Sequence, residues 1–140
     1  MSAPSIPATS SDRATHRLRL VLRLNAGFSL ATGALALVAG GAVADLLGIE
    51  QVWLVRLVGA GLLGFAALVA AASRLRPVEL RQQAALISIA DLGWVAATIG
   101  VVAAGWLSTA GVVVMGLVAV LVLDLGVAQL FTRHRMRPVA

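Results

Sequence analysis

Residues 110–131 read AGVVVMGLVAVLVLDLGVAQLF. At about 1.5 Å per residue this run is about 33 Å long as a helix, enough to cross a hydrocarbon core about 30 Å thick. Its one ionisable residue is Asp124. An Asp near the centre of a span costs about 2.5 to 3.5 kcal/mol, and each Leu, Val or Phe returns about 0.3 to 0.6. About a dozen such residues here therefore absorb the charge. Inside lipid the backbone must satisfy its own amide groups, and a chain with only a few spans cannot close a barrel, so the run is a helix.

Three more apolar runs lie upstream, from about Leu20 to Val43, Trp53 to Ala72 and Ala84 to Trp106. With span four they occupy most of 140 residues that are 60% hydrophobic and 12% charged, with a mean hydropathy of +0.97, outside the range of soluble domains. The expected fold is all-α, a polytopic membrane protein built as an antiparallel four-transmembrane-helix bundle over residues 18–132. Residues 1–17, rich in Ser, Thr, Ala and Pro, are expected to be a disordered cytoplasmic tail, and residues 133–140 a basic one. Short links imply antiparallel neighbours. The link from Gly40 to Val52 is expected to hold an interfacial turn built on Leu46, Leu47 and Ile49. Ala42-Val43-Ala44 before Asp45 has the small-x-small form of a signal cleavage site. The apolar run before it, about 20 residues, exceeds the 7 to 15 of a signal peptide, which favours a retained span.

All eleven basic side chains of the Lys and Arg class are arginine. Arg13, Arg17, Arg19 and Arg23 precede span one, Arg74, Arg76 and Arg81 fill the link between spans two and three, and Arg133, Arg135 and Arg137 follow span four. The other side holds only Arg56, with Asp45 and Glu50. The positive-inside rule then puts both termini in the cytoplasm, in a cell inner membrane. Trp53 and Trp106 fall at the outer interface, while Arg23, Arg74 and Arg133 anchor the inner one. Basic clusters beside spans fit anionic lipid headgroups, so the partner expected of this charge is the bilayer and not nucleic acid.

Asp91 lies about seven residues into span three and Asp124 about seven before the end of span four, both roughly 10 Å deep from the cytoplasmic side. Ser88, Asp91 and Thr98 share one face of span three, and Asn25, Ser29 and Thr32 form a stripe on span one. The expectation is an intramembrane polar layer of Asn25, Asp91 and Asp124 facing protein. Two readings of it stand together: hydrogen-bonded packing between helices, or a site that handles a proton or cation. Gly59, Ala66 and Ala70 on span two form a small-residue line for close packing. Ala96, Gly100 and Ala104 form another on span three, opposite Asp91, which points to a homodimer. Asn25-Ala26-Gly27-Phe28 and Asp91-Leu92-Gly93-Trp94 repeat a polar residue, Gly and aromatic at matched depth, which fits chance with interface packing or, as the alternative, a duplicated hairpin.

The chain has no cysteine, and His16 and His134 lie in the tails, so no haem or metal site is expected and no cofactor. No serine or threonine has a base beside it, and no glycine loop links a strand to a helix, so catalysis is not expected. Asn25 to Gly33, Arg56-Leu-Val-Gly-Ala-Gly-Leu-Leu-Gly-Phe65 and Ala90-Asp-Leu-Gly-Trp94 resemble small four-helix integral membrane proteins common in high-GC bacteria. That resemblance covers about residues 20–131 and implies this fold and topology, with no assigned activity. The size also resembles small multidrug transporters, but those carry an essential Glu in span one where this chain has Asn25. The expected role is a structural or accessory membrane component, as a homodimer or beside a larger membrane partner. The alternative is a small homodimeric transporter or channel binding a proton or cation at Asp91 and Asp124.

Overall fold

The computed structural model describes residues 10–136, and all of its regular structure is helical. Five helices follow one another: α1 (Ser10–Val38), α2 (Gly40–Leu47), α3 (Val52–Ala72), α4 (Pro77–Ala103) and α5 (Thr109–His134). Among the described residues four helices, all but the short α2, are long and apolar enough to cross a membrane. The chain is thus read as a multi-pass membrane protein.

Helix boundaries depart from the expected spans for local reasons. α1 begins inside the segment expected to be a disordered tail, because Ala14 and Leu18 are buried against Leu80, Ala72 and Met136, and Asp12 sits in the first turn, where the helix dipole favours a carboxylate. The rest of that tail, residues 1–9, lies outside the described residues. The basic tail is also shorter than expected: α5 runs through His134 and Met136 is buried, while residues 137–140, with Arg137, lie outside the described residues. Span one ends early, at Val38, and the chain turns into α2 where an interfacial turn was expected.

α2 is held by a compact set of contacts. Gly48 closes it with φ of 77°, a left-handed conformation that a side chain would strain, and a Cβ there would also lie 2.8 Å from the Ser108 nitrogen. Ser108 caps α5 by accepting from the Gly111 N–H (2.9 Å), donates its own hydroxyl to the Leu46 carbonyl (2.7 Å), and donates its N–H to the Leu47 carbonyl (2.8 Å). The link between α1 and α3 is thereby fastened to the start of α5.

α1 packs most extensively on α3, and the crossing is set by two glycines. A Cβ on Gly33 would lie 2.8 Å from the Gly59 carbonyl oxygen, and one on Gly59 would lie 2.9 Å from the Gly33 oxygen. Only bare backbone permits that approach. α4 packs on α5, and α5 on α1. Short links imply antiparallel neighbours, yet α3 and α4 touch little. They meet near the link, where Val69, Ala72, Leu80, Ala84 and Ile87 join the main apolar cluster, and part beyond it. The same cluster gathers the start of α1, the α3–α4 link and the end of α5, so the described arginines of the three clusters share one end of the molecule. There Arg19 donates to the Leu75 carbonyl (3.0 Å) and Arg135 stacks over the Phe131 ring (4.5 Å).

Candidate functional site

Polar side chains of three helices converge in the half of the molecule nearer the arginine-rich end. Asn25 on α1 donates from Nδ2 to Asp91 Oδ2 (2.8 Å), and Gln129 on α5 donates from Nε2 to the same oxygen (3.0 Å). Asn25, Asp91 and Gln129 are 1%, 3% and 0% exposed. Two neighbours extend the set at longer range: the Ser29 hydroxyl lies 3.4 Å from Asn25 Oδ1, and the Ser88 hydroxyl 3.4 Å from Gln129 Oε1. Ser88 makes its better bond to the Ala84 carbonyl of its own helix (2.8 Å). Thr98, expected in the layer, instead bonds back to the Trp94 carbonyl (3.0 Å).

Backbone periodicity explains why these groups meet. Asn25, Ser29 and Gly33 repeat every four residues on the face of α1 that packs inward. On α4, Ala84, Ser88 and Asp91, spaced four and then three residues apart, share the buried face. On α5 the inward line is Gly111, Ala119, Val122, Gly126 and Gln129. Gly126 brings α5 so close that a Cβ there would touch the Asp91 Cβ at 3.5 Å.

Asp124 is not in the layer. It is exposed, two residues from both Val122 and Gly126 and so about 160° around the helix from each. It makes no hydrogen bond or ion pair with any described residue. The expected pairing of Asp91 with Asp124 is replaced by Asp91 with Gln129, a residue that a search for charges overlooks. The signal was present in the sequence: Gln129 continues the small-residue line of Ala119 and Gly126, which marks the packing face of α5, and Asp124 lies opposite that line.

Asp91 of the layer, with its neighbour Ser29, also borders a hollow between the helices. A cavity of about 270 Å³ is lined by Asp91 with Ser29, Thr32, Phe28, Trp94 and Phe65, among others. A second, of about 620 Å³, adjoins it through Val58 and Trp94 and reaches Glu50, Gln51 and Trp106 at the opposite end of the molecule from the arginine clusters. Phe28 and Trp94, the aromatic members of the two repeated tetrapeptides, both line the inner cavity. Both donors to Asp91 end on Oδ2, and among the described residues the only enclosed side-chain polar atom without a partner is Arg19 Nε. Asp91 Oδ1 is therefore no enclosed orphan, and Asp91 is one of the residues that line the inner cavity.

The remaining expected residues fall on identifiable surfaces. Gly59 and Ala66 are buried and Ala70 half-buried on the α3 face toward α1. Ala96, Gly100 and Ala104 are exposed, and nothing lies within 4 Å of where a Gly100 Cβ would be. Trp53 and Trp106 expose 63% and 71% of their surface. Arg23 and Arg74 are exposed and Arg133 half-buried. No family model, curated protein or solved structure matches the chain.

Proposed function

We propose that this chain is a structural or accessory component of the cell inner membrane: an antiparallel four-span bundle, both termini cytoplasmic, held in register by the Asn25, Asp91 and Gln129 layer. The observation that carries this reading is the convergence of two donors, from α1 and α5, on a single oxygen of Asp91 on α4. A carboxylate held this way ties together helices from both hairpins at one depth, and in an apolar interior each such bond specifies which faces meet. The arginine clusters at one end, beside anionic headgroups, support the orientation.

A second reading is favoured by a separate observation, the cavity above Asp91. In it the carboxylate binds a proton or cation entering from the outer end, with Asp91 acting alone because Asp124 faces elsewhere.

Flux measurements separate the two. The full chain in proteoliposomes under an imposed pH or sodium gradient is expected to show no flux above protein-free vesicles, and Asp91→Asn is expected to stay folded. A flux that Asp91→Asn abolishes while the fold is retained overturns the structural reading in favour of the second.

A further inference from the structure

Asp124 is the polar group that the inner layer leaves unused. It lies on α5, a helix with 26 residues, ten residues before its end at His134. If the hydrocarbon core is centred on this helix, the carboxyl is roughly 10 Å inside it, too far for a short side chain to reach headgroups. Acyl chains offer it no hydrogen bond, and no described residue of the same chain does either.

Its surroundings on the helix form a pattern. Val113, Leu117, Val120, Asp124, Val127 and Phe131 are spaced alternately four and three residues apart, the a and d positions of a heptad seam. The apolar members expose between 53% and 63% of their surface, more than Val112, Leu121 or Leu123 on the flanks. This line is the outermost ridge of α5, with one acid set among apolar neighbours above and below.

We propose that this ridge is a parallel homodimer interface: α5 packs on α5 of a second copy of this chain, and Asp124 meets its own counterpart. Three features select a second copy over another occupant. The arginine clusters give every copy the same orientation, so a two-fold axis along the membrane normal brings identical residues together at equal depth. A carboxyl group is self-complementary, since its hydroxyl form donates and its carbonyl oxygen accepts. A single polar residue at an a position is the attested device for fixing register and partner number in a helical seam. The small-residue line of α4 makes no such demand, because its exposed alanines and glycine leave no polar group unsatisfied. The interface stands whether or not the structural reading of Asp91 holds.

Because the chain has no cysteine, single cysteines report the interface directly. The full chain would be reconstituted in phosphatidylethanolamine and phosphatidylglycerol vesicles at several dilutions and oxidised with copper phenanthroline. Val120→Cys and Val127→Cys are expected to give disulfide-linked dimers, and Leu123→Cys and Ala96→Cys are not. In fluorescence energy transfer between labelled copies, Asp124→Asn is expected to keep the dimer, and Asp124→Leu to weaken association about 3- to 20-fold, the range of one interhelical hydrogen bond. A monomer at every dilution, cross-linking that follows Ala96 or is equal at all four positions, or an Asp124→Leu dimer as tight as the parent would overturn the proposal.

Discussion

At the scale of single residues, the decisive pair is Asp91 and Gln129. Asp91 keeps a charged or polar oxygen in an apolar interior because donors on two other helices are aimed at it. Replacing Gln129 with Leu removes one donor and leaves Asp91 with Asn25 alone. The expected loss is about 1 to 2 kcal/mol of stability, measured as a shift in SDS-induced unfolding of the purified chain. The Asn25 and Asp91 half of this site was legible in the sequence, since both lie on inward stripes at one depth. The Gln129 half was missed because formal charge drew attention to Asp124. An amide and a carboxylate compete for the same inward position, and the small residues Ala119 and Gly126 decide which face of α5 turns inward.

At the scale of elements, close approach at glycine explains the arrangement better than link length. α3 leaves α4 soon after their short link because Gly33 and Gly59 let α1 and α3 come to backbone contact, which no pair between α3 and α4 matches. Gly59→Val should therefore force the crossing apart, with about 1 to 3 kcal/mol lost in the same unfolding assay. Gly61→Ala, two residues away with nothing within 4 Å, should change stability by about 1 kcal/mol or less. The sequence announced the small-residue line on α3 but not its partner, because alanine and glycine lines occur on several faces of this chain and only three-dimensional pairing distinguishes them. The helical ends were blurred for a related reason. Ala14 and Met136 are ordinary residues buried in a cluster drawn from several helices, so no local pattern marks them as part of the fold.

For the whole molecule, the two ends are built differently. The arginine-rich end is filled by an apolar cluster drawn from α1, α3, α4 and the end of α5, and the opposite end holds an open hollow bordered by Leu47, Glu50 and Trp106. Between them the polar layer joins α1 of one hairpin to α4 and α5 of the other. The number of spans and their rough positions were readable from hydropathy, because lipid imposes length and backbone satisfaction on any spanning segment. The hollow was not readable, since a cavity is a shortage of side-chain volume summed over four helices. The claim at the centre of this account is that Asp91 is energetically coupled to Gln129 across the α4–α5 contact and not to Asp124. A double-mutant cycle in SDS unfolding tests it, combining Asp91→Ala with Gln129→Ala and, separately, with Asp124→Ala under conditions that keep the chain monomeric. A coupling of about 0.6 to 1.7 kcal/mol for the first pair and near zero for the second is the predicted result. Additive effects for Asp91 with Gln129, or coupling of Asp91 with Asp124, would contradict it.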